Sequence, residues 1–239
     1  MSGIKNQVGD WYPLLEPIVT SDYFKKVITQ VQKCKAEGKK VYPDTKSTFR
    51  AFNLCQLQDL KVVILGQDPY HDGRATGLAF ANDNEITMRP SPSLQWIVKS
   101  IEHDYDTICV DFDWSLESWA QQGVLLLNTA LTVEKGKAGS HTALWNDFTK
   151  KFIHELSTKK DNIIFVLWGK NAQAYEQYIK GHNKIFKAPH PAADAYTGGK
   201  AGFYTSGSFR SVNEFLDVPI KWNSYCGEPL PRERDTAPF

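Results

Sequence analysis

Apolar positions in this chain follow two patterns. The first is helical. Phe24, Val27, Ile28 and Val31 recur at i, i+3, i+4 and i+7 and predict a helix that stops near Gly38. Leu94, Ile97, Val98 and Ile101 repeat that spacing, with Ser93 as the expected N-cap. Trp145, Phe148, Phe152 and Leu156 make a third helical face. The second pattern is a short unbroken run: Val62-Val63-Ile64-Leu65, Val124-Leu125-Leu126-Leu127, Ile163 to Trp168, and the weaker Lys184-Ile185-Phe186-Lys187. Such runs, rich in β-branched residues, predict strands buried on both faces, as in a parallel sheet.

Helical and strand patterns alternate, which predicts an α/β fold: a central, mostly parallel four-stranded sheet flanked by helices. No repeat, low-complexity run or Gly/Ser linker divides the chain, so residues 1–239 are expected to form one domain, with 223–239 an unassigned tail. Each run ends in polar or turn-forming residues: Gly66-Gln67-Asp68-Pro69-Tyr70-His71, Asn128-Thr129, Gly169-Lys170-Asn171 and Ala188-Pro189-His190-Pro191. Ligands of open parallel sheets bind outside the carboxyl ends of the strands. The four ends are therefore expected to line one cleft, which nominates Gln67, Asp68, Tyr70, His71, Asn128 and His190.

Composition narrows the classes. With 41% hydrophobic and 23% charged residues in 239, the chain carries enough apolar material for a sizeable core, which excludes a disordered chain. No run approaches the ~18–20 apolar residues of a membrane span, and the first residues lack a signal-peptide core. The expectation is a soluble intracellular protein, cytoplasmic in a prokaryote, without a membrane partner. The net charge of +1 is uninformative, but its distribution is not. From Val133 to Asn213 there are 12 Lys+Arg against 6 Asp+Glu, whereas Glu102 to Glu117 holds six acidic residues and no Lys or Arg. This fits either two solvated faces or one face turned toward a polyanion and one turned away. Cysteines at 34, 55, 109 and 226 show no CxxC pair or zinc-finger spacing; four free thiols and no metal are expected.

The nominated residues suit particular chemistry. Gly66 is expected to allow a positive φ and Pro69 to fix the following turn. A carboxylate at Asp68 can orient or activate water, or merely cap the turn. His190, held between two prolines, can donate to a developing oxyanion, or simply pack. Asn128, after four apolar residues, is expected to be buried. Its amide can read the edge of a base or be satisfied by backbone.

In this order the motifs resemble the family-1 uracil-DNA glycosylases. The resemblance is carried by Gly66-Gln67-Asp68-Pro69-Tyr70-His71, Gly77-Leu78-Ala79-Phe80, Ser91-Pro92-Ser93-Leu94 and Gly123 to Asn128. Leu131-Thr132-Val133, Leu167-Trp168-Gly169 and His190-Pro191 continue it, and weaker matches extend from Trp11 to Pro219–Trp222. The resemblance implies an enzyme that flips uracil out of DNA, single- or double-stranded, and hydrolyses the N-glycosidic bond, leaving an abasic site. It implies no metal or cofactor and a monomer; a DNA-mimicking protein inhibitor is a family-level expectation. It assigns Asp68 to the attacking water and to the positive charge on the sugar, and His190 to the uracil oxygen. Asn128 is assigned to the uracil amide edge, Phe80 to stacking, Tyr70 to the space beside C5, and the Gln67 backbone to the base. His71, Pro90, Pro92, Ser93 and Gly169 are assigned to the DNA backbone; Lys170 stands where the family has serine, so a hydroxyl contact becomes a cationic one.

The chain departs from the family after His190-Pro191. The usual Ser-Pro-Leu-Ser, whose leucine enters the DNA stack, is replaced by Ala192-Ala193-Asp194-Ala195, and about three extra residues follow before Gly202. Asp194 aligns with the leucine and, as a carboxylate facing phosphates, is a poor wedge. Tyr196 is the only large side chain before Lys200, so either Tyr196 wedges, with Lys200 holding phosphate and Gly198 and Gly199 leaving the loop free to aim, or Tyr196 packs on the protein and there is no wedge. Two other readings stand beside the enzyme: a glycosylase-like DNA-binding protein with little catalysis, and an unrelated α/β hydrolase. The second lacks any GxSxG, P-loop or GxGxxG motif.

Overall fold

Three of the four apolar runs become strands with every residue buried: β2 (Val62–Gly66), β3 (Val124–Asn128) and β5 (Ile164–Trp168). The computed structural model describes residues 2–82, 89–109 and 112–223. With β6 (Lys184–Ala188) these strands form one sheet in the order β3-β2-β5-β6. All three pairings are parallel, running from Val62↔Val124 to Gly66↔Asn128 and from Ile164↔Lys184 to Trp168↔Ala188. A separate antiparallel pair joins β1 (Val41–Tyr42) to β4 (Val133–Glu134).

β6 departs from the expected two-sided burial. It is an edge strand with Lys184 and Lys187 exposed, and charge along a free edge discourages pairing with another chain. β3, at the other edge, stays buried because the short helices Arg50–Leu54 and Glu117–Ala120 cover it.

The helical periodicities hold. Phe24, Val27 and Val31 are buried along the helix Asp22–Ala36, and Gly38 follows its end with φ +77°. Trp145, Phe148, Phe152 and Leu156 are fully buried along Thr142–Lys159. There they meet Trp11, Phe24, Phe49 and Phe52 in an aromatic cluster. A second aromatic cluster surrounds Trp168 at the end of β5, with Phe80, Phe203 and Phe209, and reaches Trp119 and Trp222. One hydrophobic core runs from Val8 to Trp222.

Four expectations are corrected. The helix Pro92–Tyr105 is capped by Ser91, not Ser93: the Ser91 hydroxyl accepts from the Leu94 N–H at 3.3 Å, and Pro92 fills the first helical position. Residues 191–197 are not a free loop but a helix, Pro191–Thr197, ended by Gly198 in the left-handed conformation. The acidic residues of the stretch 102–117 are not all solvated. Asp104 is buried and accepts from the Phe209 and Arg210 N–H groups, and Glu117 pairs with Arg50. Cys109 is disulfide-bonded, so the thiols are not all free; Cys34 and Cys55 are. Spacing alone carried no information on that pairing. Residues 224–239, most of the unassigned tail, lie outside the described residues. No described helix is long and apolar enough to cross a membrane.

Candidate active site

The order β3-β2-β5-β6 places the reversal of chain direction across the sheet between β2 and β5. In open parallel sheets ligands bind at such a reversal, outside the carboxyl ends of the strands. The Gln67 side chain, just past β2, meets Asn171, just past β5: the Asn171 amide donates to Gln67 Oε1 at 2.7 Å. The Gln67 carbonyl accepts from Thr129 Oγ1 at 2.8 Å and from the Ala130 N–H at 3.0 Å, which ties the β2 and β3 ends together.

Gly66 is needed for space, not for backbone freedom. It lies outside the set of residues with positive φ. It pairs with Asn128 across the sheet, and a Cβ on it would stand 2.3 Å from Asn128 Oδ1 and 2.8 Å from the Ala79 Cβ. The expectation of a positive φ is therefore replaced by one of close approach: glycine lets the buried Asn128 amide lie against the β2 backbone. Asn128 itself is only 6% exposed.

Asp68 is half-buried, and its Oδ2 accepts from the Gly139 N–H at 2.6 Å. The donor comes from the turn after β4, seventy-one residues downstream. The same turn donates the Gly136 N–H to the His71 carbonyl at 3.0 Å. Two backbone contacts from one turn thus hold the Asp68–His71 segment.

His190 caps the helix that follows it. Its Nδ1 accepts from the Ala192 N–H at 3.1 Å. A ring nitrogen that accepts is unprotonated, so in the neutral ring the proton sits on Nε2, the nitrogen available to a ligand. Burial pushes the imidazole below its ordinary value, which favours this neutral form at pH 7. Gly169 sits beside it with φ +84°, and a Cβ there would stand 2.8 Å from the His190 Cβ.

Phe80 is a non-glycine residue at φ +66°. That backbone costs roughly 1–2 kcal/mol, and such strain concentrates at functional sites. Its ring lies edge-on to Trp168 at 5.3 Å and 5.8 Å from His190. The Tyr70 hydroxyl lies 2.6 Å from Ser91 Oγ and donates to the Phe80 carbonyl at 3.4 Å. Burial raises its phenol pKa, so it stays neutral.

The contacts therefore link Asp68, Tyr70, Phe80, Asn128 and His190 to one another's elements. Pro90 and Pro92 flank Ser91, the Tyr70 partner; Ser93 is buried in the first turn of the helix rather than presented outward. Lys170 is exposed at the β5 end, and Tyr196 (90% exposed) and Lys200 lie outward beyond His190. Asp194 is not an outward carboxylate. It is fully buried: Oδ1 accepts from the Ala201 N–H at 2.7 Å and Oδ2 from the Tyr204 N–H at 2.6 Å. Sequence reasoning missed Gly139, Asn171 and Ser91 as the partners that fix Asp68, Gln67 and Tyr70. Only Ser91 had a local mark, its place before a proline and a helical face.

Comparison with known proteins gives the family. The model of the uracil DNA glycosylase superfamily matches residues 52–216. The uracil-DNA glycosylase of Actinobacillus succinogenes is 40% identical over 209 residues, covering 86% of this chain and 92% of that protein. The one from Desulfitobacterium hafniense DCB-2 is 39% identical over 219 residues, covering 89% and 95%. Among solved structures, mimivirus uracil-DNA glycosylase shares the fold with a TM-score of 0.82 at 24% identity, over 89% of this chain and 86% of that one. A mimivirus UNG variant in complex with UGI superposes with a TM-score of 0.84 at 23% identity, over 92% and 90%. The chain belongs to the uracil DNA glycosylase superfamily.

Proposed function

We infer that this chain is a DNA base-excision repair enzyme that releases uracil from DNA by hydrolysing the N-glycosidic bond. The observation that carries the mechanism is the placing of a buried amide, a half-buried carboxylate and a neutral imidazole at three strand ends of one sheet. The target bond is inaccessible inside the base stack, so the nucleotide must be turned out of the duplex before reaction. Asn128, packed against Gly66, pairs with the uracil amide edge; cytosine offers the wrong donors and acceptors and leaves buried groups unpaired. Tyr70 closes the space beside C5, where thymine carries a methyl group, and Phe80 stacks on the base. As the bond to the sugar breaks, the base takes the electron pair and charge gathers on its oxygen. His190 Nε2–H donates to that oxygen without transferring its proton. Asp68 stabilises the positive sugar carbon, orients water toward it and accepts the proton that water loses.

Around this pocket the exposed Lys170 and Lys200, with His71, Pro90 and Pro92, contact phosphate. Such contacts position the strand without reading its sequence. Tyr196 wedges into the stack of duplex DNA. The substrate is uracil-containing DNA in single- and double-stranded form, and the acting species is a monomer. A DNA-mimicking protein inhibitor occupies the same cleft; the solved relative in complex with UGI supports that reading.

The test is a uracil-containing oligonucleotide incubated in EDTA, which silences metal-dependent nucleases, with abasic sites read as alkali-labile breaks. The parent converts it; Asp68→Asn and His190→Leu bind it but turn over slowly. Full-rate turnover by either variant removes that residue from the mechanism. Asn128→Asp is expected to admit cytosine and Tyr70→Ala to admit thymine; if neither gains a base, the pocket assignment fails.

A further inference from the structure

Away from the cleft, three side chains of metal-binding type meet. Cys34 lies near the end of the helix Asp22–Ala36, Glu134 in β4, and His141 just before the helix Thr142–Lys159. Cys34 Sγ, a Glu134 carboxylate oxygen and a His141 ring nitrogen all lie within 4.8 Å of one another. Cys34 Sγ is 3.7 Å and His141 Nε2 is 4.0 Å from the same oxygen, Glu134 Oε1.

The histidine is the informative member. It is 4% exposed, and its Nε2 is buried without a hydrogen-bond partner. Buried polar atoms are nearly always paired, because an orphaned one carries its full desolvation penalty. Its other nitrogen, Nδ1, lies 2.8 Å from Thr132 Oγ1, which also accepts from Trp145 Nε1 at 2.7 Å. The second lone pair of that hydroxyl can accept Nδ1–H, which turns the Nε2 lone pair toward Cys34 and Glu134. A carbonyl, carboxylate or hydroxyl behind the far ring nitrogen is the usual support of a metal-binding imidazole.

We propose that Cys34, Glu134 and His141 form a binding site for a thiophilic divalent cation of the Zn²⁺ class, with a fourth position open to water. A thiolate, an imidazole and a carboxylate are the ligand types that Zn²⁺ takes. Its bonds of about 2.0–2.3 Å set tetrahedral ligand atoms ~3.3–3.6 Å apart. The observed 3.7 and 4.0 Å exceed that by only a few tenths of an ångström. Lys137 occupies the other carboxylate oxygen, Oε2, at 2.8 Å and can remain there. Lys39, partly exposed and 3.6 Å from Oε1, has room to swing away.

The site touches no reacting atom. Its place in the chain gives it a structural role: it would staple the Asp22–Ala36 helix to the start and end of the 134–141 turn. That turn supplies the Gly139 N–H to Asp68 and the Gly136 N–H to His71.

The test reads metal directly and so is independent of uracil excision. The full chain, stripped with EDTA and desalted, is titrated with Co²⁺ and then Zn²⁺. The expected result is saturation at one equivalent, tetrahedral visible bands and a thiolate-to-cobalt charge-transfer band, all displaced by Zn²⁺. Cys34→Ser should abolish the charge-transfer band. His141→Gln keeps the thiol and should weaken binding at least ~10-fold. Cys55→Ser, at a buried thiol whose pKa burial pushes up to about 12, should change nothing. Circular dichroism checks that each variant is folded. No band at one equivalent, or a band that survives Cys34→Ser in folded protein, overturns the site.

Discussion

Asp68 and Asp194 each follow a strand of the parallel sheet, yet their surroundings make them different groups. Asp68 is half-buried, and among the described residues one backbone donor, Gly139 N–H, reaches it. Asp194 is sealed from solvent. Its two oxygens take the N–H groups of Ala201 and Tyr204, and its own carbonyl takes the N–H groups of Gly198 and Gly199. A carboxylate spent on backbone donors holds a loop in place; one with an oxygen left toward a cleft has capacity for a ligand. The segment after His190 is thus not a loosened version of a DNA-entering loop. It is a helix with a buried carboxylate pinning the chain that follows, and it presents Tyr196 outward.

The sharpest way to break this contrast is to substitute each aspartate and read both activity and stability. Asp68→Asn should lower turnover by ~10²–10³, the loss typical of one preorganised electrostatic contact, with the melting temperature nearly unchanged. Asp194→Ala should do the reverse. Stranding the Ala201 and Tyr204 N–H groups should cost about 2–3 kcal/mol in chemical denaturation, while the folded fraction keeps most of its turnover on single strands. A stable, slow Asp194→Ala would make Asp194 part of the catalytic apparatus.

Gly66 and Gly169 extend the same logic to the backbone. At Gly66 the Cβ of Ala would meet Asn128 Oδ1 at 2.3 Å, so Gly66→Ala should displace the amide and cost ~1–3 kcal/mol. If the Asn128 assignment is right, discrimination between uracil and cytosine falls with it. Unchanged discrimination in Gly66→Ala would separate Asn128 from base reading.

These cases mark what the chain's letters disclose. β2, β3 and β5 were legible because a strand buried on both faces has no alternative to an unbroken apolar run. The helical faces were legible because the core takes every third or fourth side chain. The strand-end cleft followed from topology alone. What stayed hidden depends on contacts distant in sequence. Gly139 lies seventy-one residues from Asp68, and Cys34 one hundred from Glu134, so no local spacing reports either pair. The cap was misplaced by two residues because Ser91 and Ser93 both flank Pro92, and only the backbone at Ser91, φ −61° and ψ 152°, shows which lies outside the helix. Asp194 was misread because alignment carries position, not burial.

Acid should act on two imidazoles. Burial lowers the pKa of both His190 and His141 below their ordinary value. Below about pH 6.5 the unfolded chain then binds protons that the folded chain refuses, so their contribution is complete above that pH. It is lost as pH falls toward the folded values. Melting temperature should therefore drop on acidification through this window, with a shallower slope in His190→Gln. With His190 proposed as a neutral donor, turnover should stay level from pH 8 to pH 7. A rise in turnover as His190 becomes charged would point to the imidazolium instead.

The smallest effect is expected at Tyr196, where the region after His190 is proposed to meet DNA. A wedge must offset a few kcal/mol of unstacking in a duplex and almost none in a single strand. Tyr196 is 90% exposed on a helix whose base is fixed by Asp194, so its ring is carried on a firm mount rather than on a free loop. Tyr196→Ala should therefore slow excision from duplex DNA several-fold and leave single-stranded excision and melting temperature unchanged. Lys170→Ala provides the matching control: on the proposed reading it removes a phosphate contact common to both substrates. It should flatten the slope of log affinity against log salt by about one unit on duplex DNA, and by slightly less on single strands. If Tyr196→Ala slows both substrates equally, the ring contributes to general DNA contact and not to opening the stack. If it slows neither, the helix Pro191–Thr197 is a structural replacement for the family's leucine loop, and flipping is driven from the strand ends alone.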